Sequence, residues 1–340
     1  MEQRYYTASH MNNDVLKKSS SGGIFTALTD KWFSEYGEKA VVYGCILDES
    51  LKAKHVRATN LHERNKMCGS KYISSDTSGI YKNVSEDLIN GYYVIFSGTP
   101  CQNAGLKSFL KAVNVDGSGR LLTVELICHG VGSNSFFEEY IKKLEKKYKN
   151  KAIDCSFRAK SAPGKAENMK VLFENNKSYI SPSTRYDWFY SAYLKNYLLR
   201  PSCFACRFAK TERNSDICIG DNWKDFNGNQ SPKHLSTVIV STELGNEWFS
   251  KCSDKLSFEE KNLDDIYQNN LYEASKKPQN YDEFWAAYNR DNGYLKAQKL
   301  IGNNTVKGFI RSFLAEILFR LGLINTVKSI KSKIKRIIGR

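Results

Sequence analysis

Nine cysteines punctuate this 340-residue chain, and four of them have the surroundings of ligands rather than of core residues. Cys203 and Cys206 form a C-x-x-C pair in "RPSCFACRFAKTERNSDICIGDNW" (200–223). Such a pair can grip zinc, shuttle a disulfide or hold part of an iron–sulfur cluster. Cys101 in "GTPCQ" and Cys128 in "ICHG" each follow the end of an apolar strand pattern and precede a helix pattern. In an α/β sheet such strand ends share one edge, where ligands bind, and a helix N-terminus favours a thiolate. Together the four thiols match the number that a cubane [4Fe–4S] cluster requires.

Rival chemistries fit the spacing less well. A zinc ribbon usually shows two C-x-x-C pairs about 15–20 residues apart, whereas here one pair and two singletons are spread from Cys101 to Cys206. A thioredoxin-like pair would open a helix after a strand, but this one follows a Tyr/Leu-rich helix pattern and precedes a basic loop. Spacing places iron–sulfur ahead of zinc without excluding it. Cys45, Cys155, Cys218 and Cys252 lie in apolar or ordinary contexts and read as core, and Cys68 beside Gly69 fits either role.

The second group is "SSSGG" (19–23) ahead of an amphipathic helix pattern, with Ser20, Ser21, Gly22 and Gly23 at its centre. Hydroxyls, glycines and a helix N-terminus together present N–H groups to an anion such as a phosphate. Lys71 in "GSKY", and Arg213, Asp216 and Asp221 in the stretch after the cysteine pair, are charged candidates for a cofactor pocket. Residues such as Lys71, Arg213 and Asp221 are more often found in ordinary surface ion pairs. His129 adjoins Cys128, where it could relay a proton, tune a cluster by hydrogen bonding, or simply sit in a turn.

The elements that must position these residues alternate. A helix pattern over 24–36 leads into a strand at "AVVYGCIL" (40–47). A strand at "YYVIFSG" stops at Thr99-Pro100, a cap and first-position pair that starts a helix. A strand at "LLTVELI" and a helix over 136–148 repeat the plan, and "STVIVST" (236–242) is a further strand. The expected fold is α/β (mixed α+β), a layered sheet-and-helix body of two subdomains with a helical C-terminal extension. Its expected divisions are 1–95, 96–260, a helical region 261–300 and a basic amphipathic tail 301–340.

Charge sharpens that division. The net charge is +15, yet nine Lys/Arg against Glu316 alone in 301–340 supply more than half of it. With no helix-turn-helix or RNP pattern in the body, nucleic acid is not an expected partner. In the tail, apolar residues at helical spacing alternate with Lys and Arg, the pattern either of a helix on anionic lipid or of one docked on the body. No run approaches the ~20 apolar residues of a membrane span. The polar start "MEQRYYTASHMNND" shows no secretion signal, so reduced thiols and a cytoplasmic protein, peripheral at the membrane's inner face, are expected.

"SSSGGIFTAL", "CGSKYISSD", "VIFSGTPCQNAGL", "ELICHGVGS", "FRAK", "RPSCFACRFAKTERNSDICIGDNW" and "STVIVST" occur in this order in one known family. Over about residues 15–260 the chain resembles the coenzyme F420 hydrogenase/dehydrogenase beta subunit family. That resemblance implies an oxidoreductase with FAD beside a [4Fe–4S] cluster, held by Cys101, Cys128, Cys203 and Cys206. It places Ser20, Ser21, Gly22 and Gly23 at the flavin, with Lys71 near it. It further implies an unknown small-molecule substrate and an external ferredoxin or partner redox subunit, since the ferredoxin module of many members does not precede "SSSGG" here. Short relatives of this kind imply a link to surface-polysaccharide synthesis. A non-catalytic cluster- or zinc-stabilised assembly protein is the alternative.

Overall fold

The structure is a computed structural model that describes residues 1–159, 168–181, 187–222, 235–290 and 293–301, together with 310, 314, 317 and 318. The expectation for the tail therefore falls almost wholly outside the described residues, as does Trp223 of the cysteine stretch.

Eleven strands are described. They are β1 (Arg4–His10), β2 (Ala40–Leu47), β3 (Ala53–Ala58), β4 (Tyr93–Gly98), β5 (Leu121–Leu126), β6 (Ala152–Ala159), β7 (Asn168–Phe173), β8 (Ser178–Ile180), β9 (Ile217–Asp221), β10 (Ser236–Val240) and β11 (Leu256–Lys261). Eight of them build one sheet in the order β11-β1-β10-β9-β5-β4-β2-β3, while β6, β7 and β8 form a separate antiparallel sheet. At the centre β2, β4, β5 and β9 run parallel; β3 on one side and β10, β1 and β11 on the other are antiparallel. The large sheet takes strands from both sides of position 95, and β1 reaches across the chain to pair with β10 and β11.

The described helices are α1 (Asn13–Lys18), α2 (Ile24–Tyr36), α3 (Leu61–Asn65), α4 (Ile80–Ile89), α5 (Pro100–Ala112), α6 (Asn134–Tyr148), α7 (Trp188–Leu194), α8 (Glu243–Lys251), α9 (Tyr281–Tyr288) and α10 (Gly293–Leu300). Alternation along the strands decides which helix covers which face. On β2, Ala40 and Val42 pack with α2 and α8, whereas Val41 and Tyr43 pack with α4 and α5. Buried Trp32 of α2 meets Trp248 of α8 with ring centroids 4.3 Å apart. The large sheet is thus the middle of three layers, as buried parallel strands require. The small sheet packs with α6, α7, α9 and α10 around an aromatic cluster that includes Phe136, Phe137, Phe157, Phe189 and Phe284. This mixed α/β body agrees with the fold class expected from the strand–helix alternation.

The start of α5 shows why the sequence folds as it does locally. Thr99 and Gln102 form a reciprocal capping box and Pro100 takes the first turn, so the chain turns sharply out of β4 and Cys101 lands in that turn. Between β5 and the cysteine stretch lies a buried ion pair: Arg213 Nε donates to Glu125 Oε1, and their side chains are 2% and 0% exposed. Removing one partner of such a pair strands the other charge in a low-dielectric core, at a cost of about 3–5 kcal/mol. Arg213→Met is expected to lower unfolding free energy by that amount in urea titrations. Arg213→Met combined with Glu125→Leu should recover most of the loss, and additive losses would contradict the pairing.

Candidate functional site

The C-terminal ends of the four parallel strands open into one cavity of about 750 Å³. Gly44 and Cys45 from β2, Ser97 and Gly98 from β4, Leu126 to Cys128 beyond β5, and Ile219 to Asp221 of β9 all line it. This is where an open α/β sheet places its ligands, and the volume lies within the range of whole small-molecule and cofactor pockets. The loop Tyr267–Asn270 and the aromatic residues Tyr72, Tyr190 and Tyr193 complete the wall. Tyr72 and Tyr193 are stacked, with centroids 4.8 Å apart.

One end of the cavity is the N-terminus of α2. Ser20, Ser21, Gly23, Ile24, Phe25 and Thr26 line it. Gly23 is the N-cap, with φ at 77° and no side-chain cap hydrogen bond, so the first turn's amides have neither intrahelical partners nor a capping oxygen. The serines are occupied in holding the loop: Ser70 N donates to Ser20 Oγ at 2.8 Å, and Ser21 Oγ donates to the Leu235 carbonyl at 3.0 Å. Gly22 is not on the cavity wall. It is wedged between β1 and β10, its N–H donating to Ser236 Oγ at 2.8 Å and its carbonyl accepting from His10 N at 2.7 Å. A Cβ there would collide with the Ala8 carbonyl oxygen and the Ser236 backbone. The loop's hydroxyls are therefore turned to structural work, and what it leaves toward the cavity is the uncapped backbone and dipole of the α2 head, a setting that could take an anion.

Cys128 lines the cavity beside His129. Burial first, with the nearby charges of Cys101, Cys203 and Cys206 and against a lowering hydrogen bond from Gly130, pushes the Cys128 thiol up to about 12. The other three cysteines expected as ligands thus lie close enough to act on Cys128. Among the described residues, however, no group of three or more His, Cys, Asp or Glu is arranged as ligands of a metal ion. The loops that carry the thiols are pinned together: Arg200 N donates to the Val131 carbonyl, and Gly132 bridges to Leu199. Thr99 Oγ1 lies 3.1 Å from Cys101 Sγ at the head of α5. Four soft sulfur donors, one of them on the cavity wall, are chemically of the kind that would suit an iron–sulfur centre.

His129 has Nδ1 3.4 Å from Asn270 Oδ1, its carbonyl accepts from Ser275 Oγ at 2.5 Å, and burial lowers its pKa. Lys71 also lines the cavity, but its ammonium donates to the carbonyls of Lys66, Met67 and Cys68 at 3.2, 2.8 and 2.9 Å, and burial lowers it to about 8. It closes the turn after α3 rather than offering a free cation. Asp221 lies on the wall in an ion pair with Arg158 at 2.5 Å, linking the two sheets.

Arg213 and Asp216, expected at a cofactor, are placed elsewhere. Arg213 is consumed by Glu125. One Asp216 oxygen accepts from Thr123 N and Oγ1 at 2.7 and 2.6 Å, and the other from Thr242 Oγ1 at 2.7 Å. Buried carboxylates demand such partners, and a charge in a motif meets that demand as readily as it meets a ligand. Cys155, Cys218 and Cys252 are buried, in keeping with a core reading, but Cys45 and Cys68 reach the cavity wall. His55 is a wall residue that sequence reasoning misses. It lines the cavity with Nε2 3.1 Å from the Ser97 carbonyl, and its only trace in the sequence is a histidine within the alternating strand "AKHVRA".

Fold and site together define a three-layer α/β protein with a ligand cavity at its strand ends and a cysteine group at one wall. Residues 92–266, just over half of the chain, match the family model for the C terminus of the coenzyme F420 hydrogenase/dehydrogenase beta subunit. The chain belongs to that beta subunit family. Its fold is similar to a chain in a xenon-derivatized structure of the F420-reducing [NiFe] hydrogenase complex from Methanosarcina barkeri, with a TM-score of 0.52 and 22% identity. That match covers 78% of this chain and 84% of the other. No curated protein matches the sequence.

Two outcomes are expected from this geometry. Gly22→Ala must displace the β1 or β10 backbone, so it should destabilise by about 1–3 kcal/mol in urea; an unchanged midpoint would contradict the close approach. Burial also holds His55 down to about 4, against about 6.5 in an unfolded chain. Between those values the unfolded state binds more protons, so stability is full above about pH 6.5 and falls as pH drops toward 4. The urea midpoint should decline across that window and His55→Gln should flatten part of the decline. Burial lowers His10 and His129 as well, so the remainder of the slope should persist in the variant.

Proposed function

We propose that this chain is an electron-transferring oxidoreductase that holds FAD in the strand-end cavity and a [4Fe–4S] cluster on Cys101, Cys128, Cys203 and Cys206. The observation that carries the reading is the composition of one cavity wall: an uncapped helix N-terminus at Gly23–Thr26 and the thiol-bearing Cys128–His129 turn face the same space. Family membership supports a redox role of the beta-subunit kind.

When bound, a flavin and a cluster supply hydride exchange and one-electron transfer respectively. The chain's own contributions are positional. The α2 N-terminus and the glycine-tight loop before it stabilise phosphate charge. Tyr72, Tyr190 and Tyr193 give the cavity an aromatic wall, with Tyr190 edge-on to Tyr72. Desolvation and the neighbouring cysteine charges disfavour the Cys128 thiolate, and a cationic centre held by the four sulfurs would offset that cost. His129, held neutral by burial beside Asn270, is the proton-handling group nearest the thiols in this reading.

An external ferredoxin or partner redox subunit and an unidentified small-molecule substrate complete the reading. So does peripheral contact of residues 301–340 with the inner face of a membrane. In support of that contact, Ile310, Leu314 and Ile317 are 49%, 51% and 38% exposed at helical spacing within the strongly basic tail. No helix among the described residues is long and apolar enough to cross a membrane.

Anaerobically purified protein should be yellow-brown and contain about four irons and four sulfides per cluster, with one FAD released on denaturation. Cys128→Ser should lose most of the iron while retaining the fold by circular dichroism. A colourless protein with one zinc and no flavin would overturn the redox reading in favour of a non-catalytic assembly protein of a polysaccharide-synthesis complex.

A further inference from the structure

The four cysteines are all half-buried but do not share one exposure: of the four, Cys128 alone reaches the cavity. Cys128 forms part of the cavity wall, whereas Cys203 and Cys206 do not. They sit half-buried in a loop whose residues Arg200, Pro201, Ser202, Ala205, Arg207 and Lys210 are exposed. The thiol group therefore has an inner side toward the ligand cavity and an outer side beneath a thin surface loop.

The loop's charge is one-sided. From Arg200 to Lys210 it carries three cations and no carboxylate. Among the described residues, Arg200, Arg207 and Lys210 form no ion pair, and Arg207 lies over the Phe208 ring at 5.1 Å. Lys277 adjoins the same surface, 5.2 Å from the ring of Tyr281, which packs edge-on against Phe204 between the two cysteines. Acids nearby are Glu2 and Glu212, exposed beyond the loop, and Asp282, which pairs with Lys277 at 2.7 Å, with exposed Glu283 next to it. The carbonyls of Phe208 and Lys210 accept from the buried Arg213 side chain, which anchors the loop to β5. The cations are thus displayed on a backbone held from below.

We propose that the loop Arg200–Lys210 is the docking surface for an acidic one-electron iron–sulfur protein. This rests on the redox reading of the thiol site. Electron transfer weakens steeply with distance, so a partner must approach the side of the site where the covering is thinnest. Opposite charge across a small contact raises the encounter rate of a transient complex without making it tight. In each encounter one electron passes: the reduced partner is oxidised and the thiol-held centre is reduced, or the reverse. Two encounters balance one hydride equivalent, two electrons and a proton, at the cavity.

The test uses the full chain, a triple variant Arg200→Glu/Arg207→Glu/Lys210→Glu, an acidic [2Fe–2S] ferredoxin and a basic cytochrome c. Association of the oxidised ferredoxin, followed by biolayer interferometry, requires no turnover. Its on-rate should fall at least about tenfold as ionic strength rises from about 0.02 to 0.3 M. The triple variant should show a similar loss at low salt, and cytochrome c should not bind there. Reduction by dithionite, monitored by bleaching, should be the same in both proteins. Ferredoxin binding that ignores both salt and the triple variant, or a preference for cytochrome c, overturns the docking surface. Iron-free protein that does not bleach with dithionite overturns the redox reading itself, and with it the purpose of the surface.

Discussion

A thiolate taken out of water is costly, and several facing one another are costlier still unless a cation lies among them. Cys128 is under that constraint: desolvation and the charges of Cys101, Cys203 and Cys206 all disfavour its thiolate. Protonation relieves it in the bare chain, and under the proposed reading a cationic metal centre would do the same. Much of the surrounding architecture serves to keep the four residues near one another. The Thr99 capping box fixes where Cys101 emerges from β4. The link from Arg200 to Val131 brings the C-x-x-C loop against the turn after β5. The Arg213–Glu125 pair secures that loop from beneath.

The sheet supplies the second half of the arrangement. Parallel strands send their C-terminal ends to one edge, so β2, β4, β5 and β9 all contribute to one wall. The same geometry that gathers the thiols also gathers the α2 N-terminus, because Gly22 is clamped between β1 and β10 at the sheet's surface. The head of α2 and the Cys128–His129 turn thereby line a single cavity. Under the proposed reading that sharing matters more than either feature alone, since electrons would have to move between them.

Much of this is legible in the sequence, and what is not has physical reasons. The strand–helix alternation, the Thr99-Pro100 helix start and the cysteines gathered at strand ends are local signals, and the structure carries each of them. β1 is not legible: "RYYTASH" pairs with residues more than 220 positions away, and no local pattern encodes such a partner. The Ser-Gly-Gly loop sits at a helix N-terminus as expected, but composition does not say which way a hydroxyl turns, and Ser20 and Ser21 bind the loop's own neighbours. Arg213 and Asp216 show that charge in a motif is as often a demand of the core as of a ligand. Cys45 reads as mid-strand core, yet it lies near the open end of β2, a distinction of a residue or two that hydrophobic pattern does not resolve.

The central claim is that the four cysteines hold iron beside an occupied cavity. Anomalous diffraction from anaerobically grown crystals, recorded on either side of the iron edge, tests it most directly. An iron peak enclosed by Cys101, Cys128, Cys203 and Cys206 is expected, with flavin density running from that site to the head of α2. A zinc peak at the same position, or four free thiols beside a cavity filled only by water, would contradict it.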